Sequence, residues 1–599
     1  MKKNKFANII VNKKVLRRRS FLYQLPKDIK AKEGSLVLVP FRGKKVVGII
    51  DSFVKDKQNP PFKVKEIENV LYPKKLLTKE QIALASYIAQ VYFAPFPSVL
   101  FSMLPLYLRG IKRGSTVADF FKKNIQAKEK CNEKKNYRYL LFDPQDNHSK
   151  RIYKTAIKKN LKTNKNILFL IPDTSLEIAK KIEKLSPKSL LLNPNKNPKE
   201  QFKDWLKIRN NEVNILIGSH LALLSPLQNI GLIIVHQESN SMYKNEQLPK
   251  YHLRDVAKKL AQIHGASLIL EDKIPTLESY LEYKNKRYNL LPQKSLNKSL
   301  GTKPLKIIDL RSERGLITSA LESMLKNNLT SQKKTLLFLN RKGFSRFVVC
   351  LDCGHSKHLQ ADEATDAICP KCKGSNNKEH SFGTKKLEHE LKKLFPSAKI
   401  LRIDKENPEI KNLKLKIKNY DLVVATSYIF KQKFPLFDAV GVILAEIGLY
   451  LPDFRSEERL FRTLFNVLKL GKEKIIQTFY PNHELIQYLL KDDYRFFAEN
   501  ELEKRKNNDY PPYSKLIRLT LEKDKGKIKN EGEKLAKNLA ELEKNYSLEA
   551  EILGPSMVFI QPKNTEKIEI ILKGKNPYPL LSLVPPKWRV DIDPIELLK

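Results

Sequence analysis

Two series of short, uninterrupted apolar runs constrain the fold of this 599-residue chain more than any other feature. The first comprises residues 140–142, 166–171, 214–218, 232–235 and 267–270, and the second residues 306–309, 336–339, 399–403, 422–425, 440–444 and 474–477. A strand that is apolar at every position has no solvent face. That is the pattern of parallel strands covered by helices on both sides. The segment 385–395 shows the intervening helical periodicity, with Leu387, Leu391, Leu394 and Phe395 on one face. The expected class is α/β: two lobes with parallel sheets, over 137–290 and 291–482, between a small β-rich domain and a C-terminal α+β domain.

Four of the five cysteines fall in one window of the second lobe, as Cys350 and Cys353, then Cys369 and Cys372. Two C-x2-C pairs at this spacing are the ligand pattern of a closed tetrahedral zinc site. Gly354 and Gly374 stand where such knuckles need a tight turn. Two disulfides, or four buried small side chains, are the alternatives. The sequence has no secretory context to favour the first, and scattered burial would not produce matched pairs. One zinc ion on Cys350, Cys353, Cys369 and Cys372 is expected, in a module over 346–376 with no position open for catalysis. Cys131 is expected to be inert.

The formal charge is +47, from 112 basic and 65 acidic residues. Biased codon usage would raise lysine without suppressing acids, and an excess of this size still attracts polyanions, nucleic acid first and an anionic membrane surface second. No apolar run approaches the ~18–20 residues needed to cross a bilayer. The first eleven residues hold too short an apolar segment for a signal peptide. The expectation is a soluble, cytoplasmic, nucleoid-associated protein with no membrane partner.

Residues 1–110 read as short strands followed by a helix at 79–93. Residues 36–41 and 46–50 are apolar strands around the hairpin-like turn Arg42-Gly43-Lys44-Lys45. Arg17, Arg18 and Arg19 stand beside Phe21 and Tyr23. Cations beside rings suit a surface that pairs with phosphates and stacks on bases; a charged edge that keeps strands from aggregating is the equal alternative. Residues 111–136 are lysine-rich and aperiodic, and read as a linker. Past 482, a helical stretch leads to Tyr510-Pro-Pro-Tyr513, after which strands alternate with a charged helix at 530–543.

Two α/β units in tandem, the second interrupted by a cysteine module, have the layout of a two-lobed helicase motor. Phe338-Leu-Asn-Arg-Lys-Gly343 leads towards Cys350-x-x-Cys353-Gly354, and Gly448-Leu-Tyr-Leu-Pro-Asp-Phe-Arg455 is followed by Glu458, Arg459 and Phe461. Tyr251-His252-x-Arg254-Asp255, Pro275-Thr-Leu-Glu-Ser279, Asp509-Tyr-Pro-Pro-Tyr-Ser514, Leu553-Gly-Pro555 and Asp591-Ile-Asp-Pro594 complete the set. In these motifs and in their order the chain resembles the primosomal replication-restart helicase family PriA (primosomal protein N′), nearly end to end. The resemblance implies DNA as partner, with primosome and single-strand-binding proteins beside it. It also implies an N-terminal domain that holds the 3′ end of a strand at a fork, carried here by Ser20-Phe-Leu-Tyr-Gln-Leu-Pro26 and Val39-Pro-Phe41.

The departures from the family fall on its ATP machinery. The G-x-T-G-S-G-K-T phosphate loop falls on Phe142-Asp-Pro-Gln-Asp-Asn-His-Ser-Lys-Arg151. Such a loop needs glycines, so that backbone N–H groups can close around phosphate, and a lysine to neutralise it. No glycine lies between Gly114 and Gly218, the lysine slot holds Ser149, Lys150 sits one place late, and Asp143 and Asp146 would repel a triphosphate. The family's D-E-E-H is His236-Gln-Glu-Ser239, so His236 and Gln237 replace the carboxylates that hold Mg²⁺ and position water, and Glu238 alone remains. Its G-S-A-T-P is Glu271-Asp-Lys-Ile-Pro275, and its Q-V-A-G-R-A-G-R is Asn466-Val-Leu-Lys-Leu-Gly-Lys-Glu473. The expectation is a retained two-lobed fold around a nucleotide cleft that no longer holds ATP.

Other departures touch DNA and metal. Only residues 111–136 occupy the place of the family's winged helix, and four of its eight module cysteines are gone, with residues 360–366 bridging the gap. The family's F-D-Y at the 3′-end pocket is Phe21-Leu22-Tyr23, which removes an acidic residue, while Lys65 matches a lysine beside that pocket. The nominated DNA contacts are Arg17, Arg18, Arg19, Phe21, Tyr23, Arg42 and Lys65.

Three readings stay open at this point. One is a zinc-stabilised, DNA-binding scaffold of replication restart with a silent motor. Another is an active 3′-to-5′ DNA helicase using ATP and Mg²⁺. The third is a zinc-containing RNA- or ribosome-associated protein. ATP turnover separates the first two, and preference for forked DNA over structured RNA separates the first from the third.

Overall fold

Apolar side chains on a strand with hydrogen-bonding neighbours on both edges make it central, and Lys44–Val54 (β4) takes that place in the N-terminal domain. The computed structural model describes residues 6–15, 19–26, 31–54, 63–109, 137–143, 148–292, 301, 304–313, 315–339, 345–353, 356–359, 368–407, 417–431, 436–447, 449, 453–524, 528–560 and 565–597. Arg17, Arg18, Gly354, the linker 111–136 with Cys131, Asp146 and the bridge 360–366 lie outside them. The chain divides into two compact units, residues 1–293 with 509–595, and residues 294–508 with 596–599.

In the first unit, β4 pairs antiparallel with Phe6–Val11 (β1) and Leu36–Phe41 (β3). β1 pairs in turn with Phe21–Gln24 (β2), and β3 with Asn69–Tyr72 (β5), in the order β2-β1-β4-β3-β5. The β3–β4 turn is the two-residue Arg42-Gly43, both at positive φ (48° and 75°), which suits the twist of a tight hairpin. The outer strands are drawn together. The Gln24 N–H donates to Lys65 O at 2.9 Å, and the Ile67 N–H to Gln24 O at 3.0 Å. The bonds at Gln24 draw the sheet around a core that includes Ile9, Tyr23, Val37, Val39, Ile50 and Ile67. The helix Lys79–Val91 follows, started by a reciprocal cap between Thr78 and Gln81.

The five apolar runs of the first series become Arg138–Phe142 (β6), Asn166–Leu170 (β7), Ile215–Gly218 (β9), Ile230–His236 (β10) and Ser267–Asp272 (β11). Two three-residue edge strands, Ser189–Leu191 (β8) and Asn289–Leu291 (β12), complete a parallel sheet of order β12-β6-β11-β10-β7-β9-β8. Every residue of β7 and β9 is buried, as a strand covered on both faces requires.

Residues 509–595 belong to the same unit. Lys515–Asp524 (β22), Ala550–Ile560 (β23), Thr565–Gly574 (β24) and Arg589–Ile592 (β25) form an antiparallel sheet of order β23-β24-β22-β25, packed with the helix Lys529–Tyr546. Asp591 anchors this sheet to the first lobe. Its buried carboxylate meets Lys244 at 2.9 Å, Lys250 at 3.3 Å and Arg518 at 3.1 Å. The Lys244 ammonium also donates to Ile592 O at 2.6 Å.

In the second unit, Leu305–Asp309 (β13), Thr335–Phe338 (β14), Ile400–Ile403 (β18), Leu422–Ala425 (β19), Phe437–Val442 (β20) and Gly471–Thr478 (β21) make a parallel sheet of order β13-β21-β20-β14-β19-β18. Between β14 and the helix Thr384–Leu394 stands an antiparallel module, Ser345–Cys350 (β15), Ser356–Leu359 (β16) and Asn377–Phe382 (β17). The α/β class, the parallel lobes and the small antiparallel N-terminal domain are those expected. Among the described residues no helix is long and apolar enough to cross a membrane.

Candidate functional site

A phosphate loop works by presenting the free N–H groups at a helix start to an anion. Here the anion is part of the chain. The helix Ser149–Lys162 begins six residues after Asp143, whose side chain is 1 % exposed. Its Oδ2 accepts the N–H of His148 at 2.8 Å and of Ser149 at 2.7 Å. The carboxylate thus occupies the positive end of the helix that a triphosphate would need. Ser149 is buried behind it, and Lys150 is exposed.

The other replaced residues are tied to one another in the same sheet end. His236 closes β10, and its Nδ1 lies 2.5 Å from Glu271 Oε2 and 3.1 Å from the Tyr153 hydroxyl. Glu271 Oε2 also accepts the N–H of Gln237, a residue at φ 55°. Burial pushes the Glu271 carboxyl up, but the charge and hydrogen bond of His236 outweigh it and hold the group below its ordinary range. Asp272, next in line, accepts from both the N–H (2.9 Å) and the hydroxyl (2.6 Å) of Ser239.

Glu238 is fully buried. Its carboxylate accepts the N–H of Thr276 at 2.6 Å and meets Arg254 Nη1 at 3.0 Å. Arg254 in turn donates to the Thr276 hydroxyl at 2.7 Å. The carboxylate thus receives a backbone N–H, a hydroxyl and a guanidinium from within the fold.

In the second unit the segment 466–473 is consumed by regular structure. Asn466 to Leu468 end the helix Ser456–Leu468, Lys469 caps it, and β21 starts at Gly471. No arginine stands there. The preceding Asp453-Phe454-Arg455 signature serves packing: Phe454 carries the guanidinium of Arg455 at 4.7 Å and of Arg505 at 5.2 Å. Buried Glu458 pairs with Arg505 at 2.9 Å and Arg462 at 3.3 Å.

The N-terminal nominees separate in space. Tyr23 is 3 % exposed and lies in the core, its hydroxyl donating to Pro40 O at 3.0 Å. Arg19 forms a two-pronged pair with Asp51, at 2.9 and 3.1 Å, and lies over the Phe96 ring at 4.6 Å. Phe21 is half-buried on β2, edge-to-face with Phe41 at 5.0 Å, and Arg42 lies over Phe41 at 5.7 Å. Lys65 is exposed on the segment that closes the sheet beside β2. Arg42 and Lys65 are exposed, while Phe21 and Phe41 are half-buried against the core and keep part of each ring at the surface. Phe41 belongs to the Val39-Pro-Phe41 motif of the sequence but is not among the nominated contacts.

The four module cysteines converge. Their sulfurs lie within 4.8 Å of one another, with Cys350–Cys372 at 3.5 Å and Cys353–Cys369 at 3.8 Å. None is in a disulfide. Thiolates on a tetrahedron about 2.3 Å from one ion would stand about 3.8 Å apart, so the set fits a single tetrahedral metal. Backbone N–H groups of Asp352 and Cys353 point at the Cys350 sulfur, and those of Lys371 and Cys372 at Cys369. Burial pushes the Cys369 thiol up, yet these donors and the neighbouring sulfurs bring it to about 7. Gly374 leaves room: a Cβ there would lie 2.3 Å from Asp352 Oδ2 and 3.3 Å from the Cys372 sulfur.

Residues 8–105 match the family model described as the PriA 3′DNA-binding domain (3'BD). The replication restart protein PriA of Borreliella burgdorferi is 29 % identical over 554 residues, which cover 84 % of this chain and 83 % of that protein. The one from Rickettsia conorii is 28 % identical, over 83 % and 84 %. The Bacillus subtilis PriA is 29 % identical over 74 % of this chain and 60 % of its own length. Over most of its length the chain is similar to replication restart proteins PriA. Against that PriA framework, two features of the site escaped the sequence. Asp143 reads there as a repulsive charge, when it is the cap that fills the helix start. Glu271, Asp272 and Arg254 read there as loop or motif residues, when they hold the replaced positions together. Adjacent carboxylates closing a buried strand were the available signal.

Proposed function

We propose that this chain is a DNA-binding protein of replication restart whose first lobe does not take ATP. The observation that carries this reading is Asp143, whose carboxylate already satisfies the N–H groups of His148 and Ser149. ATP would have to displace a covalently tethered anion and then find no lysine or metal-binding carboxylate beside it. His236, Glu271 and Glu238, spent on internal partners, support the same conclusion.

DNA contact is assigned to the N-terminal domain, where Phe21, Phe41, Arg42 and Lys65 offer a ring surface and cations, with Arg19 in reserve behind its pairing to Asp51. With Tyr23 in the core, stacking falls to Phe21 and Phe41 rather than to a Phe21–Tyr23 pair. Zinc is the metal proposed for the cysteine site, because four thiolates in a closed tetrahedral set favour it over oxygen-seeking ions. Bound there, it would supply folding stability and no chemistry. Unwinding would then fall to another protein of replication restart.

The deciding measurement is DNA-stimulated phosphate release by the purified full-length chain, paired with binding to forked DNA and to structured RNA. No release, with preference for forks, is expected. DNA-dependent release that disappears in Glu238→Ala would restore the helicase reading, and tighter binding to structured RNA would favour the ribosome-associated one.

A further inference from the structure

The helix Ser149–Lys162 shows solvent a face of one charge. Lys150, Arg151, Lys154, Lys158, Lys159 and Lys162 are exposed, whereas Tyr153 and Ile157 are buried in the lobe core. Among the described helices of eight or more residues, this one alone carries cations and no acidic residue. None of the six cations forms an ion pair or hydrogen bond with a described residue. The pattern works against the helix itself. Lys150 and Arg151 stand in the first turn, at the positive end of the dipole. Residues 150 and 154, 154 and 158, and 158 and 162 are like charges one turn apart, which weakens a helix. Such a face needs its counter-charge from another molecule.

We propose that this helix is a second nucleic-acid site, which grips the phosphate backbone of duplex DNA without reading its sequence. Its one aromatic residue, Tyr153, is buried, so the face has no ring on which a base could stack, and single strands gain little from it. Arg151, Lys154, Lys158 and Lys162 run along about 16 Å of rigid helix, against a duplex strand that offers a phosphate about every 3.4 Å. The apolar face is sealed against the sheet, so the helix cannot bury it in a lipid surface as interfacial helices do. The proposal rests on the nucleic-acid reading above but uses a different surface, with the N-terminal domain taking the strand end and this helix the flanking duplex.

The test is the full-length variant R151Q/K154Q/K158Q/K162Q, titrated with a blunt duplex and with a single strand between 50 and 200 mM salt. Each lost phosphate contact lowers the slope of log affinity against log salt by about 0.9, so four lower it by up to about 3.6 and remove a roughly 100-fold salt effect over that range. The expected result is that loss for the duplex, unchanged single-strand binding, and a melting temperature equal to or above wild type. A duplex slope unchanged from wild type, with single-strand binding intact, overturns this site and leaves the N-terminal reading standing. A loss seen only with phosphatidylserine vesicles also overturns it. Wild type that binds neither DNA overturns both.

Discussion

His236 Nδ1 lies 2.5 Å from Glu271 Oε2, and the pair joins two strand ends where the family places a metal-binding carboxylate and a small-residue loop. The two changes make sense only together. A buried glutamate without a cation would bear a desolvation penalty, and a histidine facing Mg²⁺ would repel it or compete for it. Paired in this way, each group faces protein and not solvent.

Asp143→Ala should destabilise the first lobe by about 1 kcal/mol, the cost of an N-terminal cap. It should not create a nucleotide site, because neither a lysine nor a metal ligand is restored. Thermal unfolding with and without ATP and Mg²⁺ checks both halves, since a ligand raises stability in proportion to its binding to the native state. A rise in melting temperature with ATP in the variant would mean that the cap alone excludes the nucleotide.

Glu446, fully enclosed in the second unit, is pushed up to about 7 by burial, against the pull of the backbone N–H groups of Phe479 and Tyr480. Among the described residues its Oε2 has no hydrogen-bond partner. The unfolded chain gives up this proton near pH ~4.3, while the folded chain keeps it up to about 7. Stability therefore falls as pH rises through that window, by roughly 3–4 kcal/mol once the window is passed. Glu446→Gln, which keeps an acceptor for Phe479, should gain most of this at pH 8 and almost nothing at pH 4.5. Equal gains by urea unfolding at both values would exclude the assignment.

Cys353→Ser should abolish binding of one zinc ion per chain and loosen the β15–β17 module, with the α/β sheet of the same unit retained. Metal analysis with limited proteolysis reads this out. Two ions per wild-type chain, or none, would contradict the closed four-cysteine site.

Phe21→Ala should weaken single-strand binding by ~1–3 kcal/mol, the range for one stacked base, and lower stability as well through the lost packing on Phe41. Tyr23→Phe should leave DNA binding intact and cost about 1 kcal/mol through the lost bond to Pro40 O. If Tyr23→Phe impaired binding as much as Phe21→Ala, the division between surface ring and core ring would be wrong.

The parallel strands were legible because burial on both faces writes itself into every position, as in 166–170 and 215–218. The short edge strands at 189–191 and 289–291 were not, since three residues at a sheet margin carry no such pattern. Cysteine spacing gave the metal site directly. Phe21 and Tyr23 looked equivalent because both are aromatic and two residues apart. What separates them is closure of the sheet: Tyr23 lies 3 % exposed in the core it encloses, and Phe21 stays half-buried on β2. Asp143 could be read as a missing lysine's neighbour but not as a cap, because its partners are backbone groups whose direction depends on the turn between them.

The meeting of Lys244 with the chain around Asp591 spans 348 residues, from Lys244 to its acceptor Ile592 O. At roughly 5–20 residues per second, synthesis of that interval takes on the order of 20–70 s. Throughout it, Lys244 has no carboxylate to enter its buried position with. The packing around Lys244 is therefore completed only after a segment made 348 residues later has appeared.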